Sequence, residues 1–258
     1  MTNGPSASEI AYSQNAFKQR IEDKVSAKKF YGNFDVENKK KYELLLDKWL
    51  EMHKYDKDKD NNKCTTLKTK ETGDILEDLV KFIFKSIPMF QYAGKVRTNT
   101  NEVDHIIKLS SEGRVLKADN LVEINQNYFI GESKNYIDTI SVTWINKLYS
   151  LMSSTGTKLG VIFSYHGLTG TKSCGGWQEA KGFTKKILLA SMGLSNQDED
   201  KQAMYILDFN KDHFIKLKEM CFIDIIEQEK MTLKIDAKSE ICFFEKHGHE
   251  EEIKSIIT

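Results

Sequence analysis

Two carboxylates and a lysine interrupt segments that otherwise have the pattern of buried β-strands. Asp104 lies in the apolar stretch 103–107, and Glu132 and Lys134 lie in the stretch 128–136. Burying a charge costs on the order of several kcal/mol unless the charge is paired or bound to a metal. Such a triad can have a purely structural role and stabilise the sheet, but hydrophobic residues often stabilise a sheet equally well. We therefore expect a chemical role for these three residues.

The spacing of the three residues predicts how they are arranged. Alternate side chains of a strand share a face, so Glu132 and Lys134 point together, while Ser133 points away and leaves its carbonyl near the same place. If the strand of Asp104 pairs nearby, two carboxylates and a carbonyl converge. Such an oxygen-only set suits Mg²⁺ or Mn²⁺. Lys134 would position or help to deprotonate a water there, or stabilise developing negative charge, as phosphodiester hydrolysis requires.

The two segments resemble the motif strands of a known group of nucleases. An Asp followed, after a variable spacer, by Glu-x-Lys on the next strand is the signature of the PD-(D/E)xK phosphodiesterase superfamily, and segments 101–107 and 129–136 are similar to those of its Mrr-type restriction endonucleases. The resemblance covers about residues 70–215, including the helix around 73–80 and the strand and loop at 158–170. Val103 stands where the signature has Pro, and Ser133 stands where Mrr-type members often have Cys.

The resemblance implies a fold, an activity and a set of site residues. The fold would be α/β, with a restriction-endonuclease-like core of order αβββαβ, a mixed central sheet flanked by helices, and a helical N-terminal extension. The activity would be Mg²⁺-dependent (or Mn²⁺-dependent) cleavage of double-stranded DNA in prokaryotic restriction or anti-phage defence. Asp104, Glu132 and the Ser133 carbonyl would hold the metal, and Lys134 would orient the attacking water. Glu77, on the first core helix, would support this metal or a second one; otherwise it is an ordinary helix carboxylate.

The chain divides by pattern into two parts. Residues 8–55 have helical periodicity, with a break at 32–35 where Asp35 is placed to cap a second helix. The charged run 55–63 lacks the Gly and Glu that a calcium-binding EF-hand loop needs, because Asn61 and Leu67 occupy those positions, and so it predicts a linker. We therefore expect a helical extension with its linker at 1–62, and a nuclease domain with a C-terminal tail at 63–258. The extension would mediate a homodimer or a hetero-complex with a defence-system subunit.

The hydrophobic pattern predicts the elements that must position the site. Asn125–Asn127 would form a tight turn between two of the strands, and Asp138 or Thr139 would cap the helix that follows the Glu-x-Lys strand. The predicted helices are 72–86, 138–153, 176–191 and 211–220, and the predicted strands are 101–109, 120–125, 127–134, 158–165, 203–208, and, in the tail, 231–236 and 240–245 before a short final helix.

Composition limits the classes of function. The chain has 258 residues, a formal net charge of zero and four cysteines without a Cys-x-x-Cys pair, which predicts neither a zinc site nor a disulfide framework. No long apolar run or signal peptide is evident, so we expect a cytoplasmic protein with no membrane association. Zero net charge argues against a surface coated uniformly for nucleic acid, but it leaves room for a basic groove on one face.

Two other functions remain open. The chain could be a nuclease-fold subunit that is inactive or gated until a partner joins it, as the charged N-terminal helices suggest. It could also be an RNA or structure-specific nuclease. Among the remaining polar residues, His105 should point to the face opposite Asp104 as a core histidine. Lys147 is one of several lysines that could contact phosphate, although an ordinary solvated lysine is the simpler interpretation.

Overall fold

A computed structural model describes residues 7–57, 66–97, 102–124, 126–136, 139–170, 179–193 and 203–246. The helices are α1 (Ala7–Tyr31), α2 (Val36–Lys57), α3 (Thr66–Ser86), α4 (Ser111–Ala118), α5 (Val142–Thr155), α6 (Ala180–Gly193), α7 (Lys211–Lys216) and α8 (Phe222–Lys246). The strands are β1 (Phe90–Arg97), β2 (Glu102–Leu109), β3 (Tyr128–Lys134), β4 (Leu159–Ser164) and β5 (Tyr205–Phe209).

The strands form one mixed sheet in the order β1-β2-β3-β4-β5. β1, β2 and β3 pair antiparallel, whereas β3, β4 and β5 pair parallel. The parallel half needs crossover helices, which α5 and α6 supply. The predicted α/β class, with a mixed central sheet flanked by helices, is therefore confirmed.

Each face of the sheet is covered by a different group of helices. One face packs on α2, α3 and α8 through a core that includes Phe129 and Phe163. The other face packs on α5 and α6 through a core that includes Ile130 and Ile162. Neighbouring residues of β3 and of β4 thus enter opposite cores, which is the period-two pattern of a strand buried on both sides.

The two predicted N-terminal helices are present and break at the predicted place. The Asp35 carboxylate accepts a hydrogen bond of 2.7 Å from the backbone N–H of Asn38, which caps α2. α2 belongs to the main core, because Tyr42, Leu46 and Trp49 are fully buried in it. The Tyr42 hydroxyl also donates to the Phe214 carbonyl at 2.6 Å. The division of the chain at 62/63 falls outside the described residues and stays a prediction.

The predicted strand at 120–125 is wrong, and the chain forms a strand elsewhere. After β2 the chain enters α4, which Ser110 caps by accepting a hydrogen bond from the Gly113 N–H. Residues 119–124 form turns and irregular structure, so the predicted hairpin around 125–127 has no first strand. β1, on the other side of β2, was not predicted. Its pairing shifts register twice, and Gly94 has a φ of 91°, so alternation along β1 is irregular.

Two further predictions fail for physical reasons. The predicted tail strands at 231–236 and 240–245 lie within the single helix α8, where the apolar residues of 222–226 fix the helix against the core. α5 begins after Ser141, not after Asp138 or Thr139. Ile140 forms a β-bridge with Leu168, which keeps the chain extended up to the start of the helix. Asp138 lies outside the described residues.

Candidate active site

The two motif carboxylates lie side by side on the sheet face that α5 covers. β2 and β3 pair with His105 opposite Gly131, so Asp104 and Glu132 follow as neighbours on the next step of the antiparallel pair. Glu132 is 1% exposed and Asp104 is 7% exposed. One Asp104 oxygen accepts the backbone N–H of Ser133 at 3.1 Å. The predicted convergence of the two acids is therefore confirmed.

Lys134 contacts both carboxylates and the Ser133 carbonyl. Its Nζ lies 2.7 Å from Oε1 of Glu132 and 3.3 Å from Oδ2 of Asp104, and it donates to the Ser133 carbonyl at 3.0 Å. Burial by itself lowers the pKa of Lys134, but the charges of Glu132 and Asp104 outweigh burial and raise the pKa above its usual range. Lys134 is therefore protonated at neutral pH, and it lies within hydrogen-bond reach of both carboxylates and of the Ser133 carbonyl.

Lys147 and Trp144, both on α5, also belong to the site. Nζ of Lys147 lies 2.6 Å from the same Glu132 oxygen that Lys134 contacts. The Trp144 ring lies beneath both ammonium groups, 4.5 Å from Lys134 Nζ and 5.3 Å from Lys147 Nζ. The sequence interpretation of Lys147 as an ordinary solvated lysine is corrected here. The usable signal was an aromatic residue and a lysine three positions apart, on one face of the helix after the Glu-x-Lys strand.

The second oxygen of Glu132 has no hydrogen-bond partner among the described residues. Oε2 is buried and makes no hydrogen bond, and leaving a buried acceptor unsatisfied costs roughly 1–3 kcal/mol, or more for a charged group. In the part of the chain that is described, no three His, Cys, Asp or Glu side chains lie together as a metal site. A metal would therefore depend on Asp104, Glu132 and the Ser133 carbonyl. These residues fit Mg²⁺, which commonly uses one or two carboxylates and keeps several waters.

Glu77 is joined to a lysine of β1. Its contact is an ion pair with Lys95 at 3.6 Å, and Lys95 also pairs with Glu102 at 3.1 Å. Burial raises the pKa of Glu77; Lys95 opposes this shift and the negative charge of Asp104 adds to it. α3 packs on the sheet face opposite α5. The role of Glu77 in metal binding stays a prediction.

The reverse side of the motif strand is held by His105. As predicted, His105 is buried on the opposite face, where Nε2 lies 2.7 Å from the Ser133 hydroxyl and Nδ1 lies 2.9 Å from the Tyr92 hydroxyl. Gly131 allows the close packing here, since a Cβ at this position would lie 2.6 Å from the Phe163 ring. These contacts fix β3 and thereby the direction of Glu132 and Lys134.

His105 should make the stability of the protein depend on pH. Burial lowers its pKa from 6.5 to about 4, so the unfolded chain binds a proton that the folded chain does not. The contribution of neutral His105 to the free energy of unfolding is fully present above pH 6.5 and is lost as the pH falls towards 4. The loss is about 3 kcal/mol in total and about 2 kcal/mol at pH 5. Urea unfolding of the wild type and of His105→Asn at pH 7.5 and pH 5 measures it. We expect the variant to lose about 2 kcal/mol less between the two pH values; an equal loss in both proteins would contradict the assignment.

A contact from α2 reaches the end of the motif strand. Nε2 of His53 lies 2.6 Å from the side-chain oxygen of Asn135, directly after Lys134. The His53 ring also stacks on Tyr165 at 3.8 Å, where the chain leaves the neighbouring strand β4. α2 therefore contacts the end of the motif strand and is more than an attachment to the sheet.

Among the described helices, none is long and apolar enough to cross a membrane. Comparison with protein-family models, with curated proteins and with solved structures finds no significant match, and the family remains an expectation drawn from the sequence.

Proposed function

We propose that this chain is a Mg²⁺-dependent nuclease with a restriction-endonuclease-like fold. The observation that carries the proposal is the buried cluster of Asp104, Glu132 and Lys134, in which one Glu132 oxygen has no partner within the described part of the chain. Trp49 Nε1 and Asp208 Oδ1 are also buried without a partner among the described residues, so what distinguishes the Glu132 oxygen is the second buried carboxylate, Asp104, in the same cluster. A carboxylate oxygen without a partner in this place supports a site for a cation.

The residues of the cluster divide the chemistry among them. Asp104, Glu132 and the Ser133 carbonyl would hold the metal ion, which supplies positive charge at the phosphate and a more acidic bound water. Lys134 orients the attacking water and neutralises charge that develops on the phosphate oxygens. The burial of both carboxylates strengthens these interactions because bulk water does not screen them.

The proposed substrate is double-stranded DNA, and the proposed setting is prokaryotic defence. Both follow from the resemblance of the motif segments. One site cuts one strand, so double-strand cleavage would take two copies of the chain or two events. The N-terminal helices would then bring in a second copy or another defence subunit.

One observation favours the gated subunit as a second candidate. Two ammonium groups, from Lys134 and Lys147, already balance the two carboxylates. The four charges of the cluster thus sum to zero without a metal ion, which suits a nuclease that a partner must activate.

Cleavage of supercoiled plasmid tests the proposal directly. The purified protein is incubated with plasmid in Mg²⁺, in Mn²⁺ and in EDTA, beside Glu132→Gln and the matched control Glu51→Gln on the exposed side of α2. We expect metal-dependent nicking by the wild type and the control, and a loss of about 100-fold or more in Glu132→Gln. A folded wild type that cleaves neither DNA, RNA nor branched substrates in either metal would contradict an independent nuclease and favour the gated subunit.

A further inference from the structure

The two lysines at the site share one oxygen of Glu132. Oε1 accepts from Lys134 at 2.7 Å and from Lys147 at 2.6 Å, whereas Oε2 accepts from neither. Two lysine ammonium groups so close together repel each other, and they are tolerated because Asp104 and Glu132 carry two compensating charges. The arrangement is therefore balanced only as long as no further cation enters.

A divalent cation would upset this balance. Two carboxylates and two ammonium groups sum to zero, so a metal ion would leave two uncompensated positive charges in a largely buried site. Such charge is strongly unfavourable away from water. Moving one ammonium group away from Glu132 relieves part of this charge and also removes a competitor for the carboxylate.

The contacts of the two lysines indicate which one moves. The side chain of Lys134 is 13% exposed, and it is held by Glu132, Asp104 and the Ser133 carbonyl. The side chain of Lys147 is 37% exposed and contacts Glu132 from the helix side. Removing Lys147 from Glu132 breaks fewer contacts and returns its charge towards solvent, so it is the lysine that leaves at lower cost.

The Trp144 ring limits how far Lys147 can go. The ammonium group of Lys147 lies 5.3 Å from the ring centroid, within the range of a cation–π attraction. A lysine displaced from Glu132 thus keeps its contact with the Trp144 ring and stays beside the site. In this position it is suited to meet the negative charge of an incoming phosphodiester.

We propose that Lys147 forms an ion pair with Glu132 until the metal binds. The metal then displaces Lys147, which contacts the phosphate that is cut. This inference depends on the proposed metal-dependent nuclease activity. Lys147 therefore has two effects of opposite sign: it weakens the binding of metal in the absence of DNA, and it promotes cleavage once metal and DNA are both bound.

Metal affinity measured without DNA separates these two effects. The affinity for Mn²⁺ is measured from the electron paramagnetic resonance signal of the free ion, for the wild type, Lys147→Met and the control Lys48→Met, an exposed lysine of α2. Methionine keeps the length of the side chain without its charge. We expect Lys147→Met to bind Mn²⁺ about tenfold more tightly, a difference of about 1.4 kcal/mol, and to cleave DNA about tenfold or more slowly. The control should match the wild type in both measurements.

The possible results distinguish the inference from the function on which it depends. If the wild type binds Mn²⁺ and Lys147→Met binds it no more tightly than Lys48→Met does, the inference fails and the nuclease proposal stands. If neither the wild type nor Lys147→Met binds Mn²⁺ and the wild type cleaves no DNA, both fail. Tighter metal binding with an unchanged cleavage rate would overturn the phosphate contact. Should Lys147→Met fail to fold by circular dichroism, Lys147→Gln provides the same test with a polar side chain.

Discussion

Replacing Lys134 by methionine should reduce the rate of DNA cleavage by about 100-fold or more. The ammonium group of Lys134 contacts both carboxylates and the Ser133 carbonyl, which are the three groups proposed to hold the metal. Removing one preorganised donor of this kind from an active site commonly lowers the turnover rate by about 10²–10³-fold. The rate of plasmid nicking in Mg²⁺ measures the effect.

The fold should survive the loss of Lys134. Methionine retains an unbranched chain that can pack on Trp144, Asp104 keeps the Ser133 N–H, and Glu132 keeps Lys147. Lys108→Met is a matched control, because Lys108 is an exposed lysine on the motif strand β2. We expect near-native circular dichroism for both variants and a normal rate for the control. Cleavage by Lys134→Met at the wild-type rate would refute the proposed role of the lysine.

Replacing Trp49 by alanine should destabilise the protein by about 3–5 kcal/mol. Trp49 is fully buried and packs edge-on against Phe214 and Tyr165, so alanine would leave a large cavity between α2 and the rest of the core. The free energy of unfolding in urea, followed by circular dichroism, measures the loss. Cleavage should weaken too, since His53 on the next turn of α2 contacts Asn135 beside the site.

A matched change on the same helix gives the comparison. Leu44 lies on the outer side of α2 and is 72% exposed, so Leu44→Ala should change stability by no more than about 0.5 kcal/mol. If Trp49→Ala lost less than about 1 kcal/mol, α2 would be a dispensable attachment and the division of the chain at 62/63 would describe two independent parts.

The parts of the site that could be predicted are those encoded locally. Glu132 and Lys134 share a face because they are two residues apart on one strand, and a charge within an apolar run marks Asp104. Lys147 could not be recognised in this way. Its role exists only because α5 packs across β3, and that packing depends on residues distant in sequence.

The structures of β1 and of the tail also depend on contacts between residues distant in sequence. β1 has irregular alternation because Gly94 and two register shifts interrupt it, and only its pairing with β2 makes it a strand. The order of apolar and polar residues in the tail, 231–245, is compatible both with short strands and with a helix. The start of α8 at Phe222, anchored in the aromatic core, decides in favour of the helix.

Because β2 and β3 hydrogen-bond directly to each other, the number of residues between the two motifs has no bearing on their alignment. The intervening chain turns back at Asn120, an exposed residue with a φ of 57°. Lengthening a loop at such a point raises the entropic cost of closing it only slowly, by about 0.6 kcal/mol for each doubling of the loop length. Related chains could therefore gain or lose residues at this turn without changing how Asp104 and Glu132 are aligned. A search pattern for distant relatives should fix the two strands and leave the gap unrestricted.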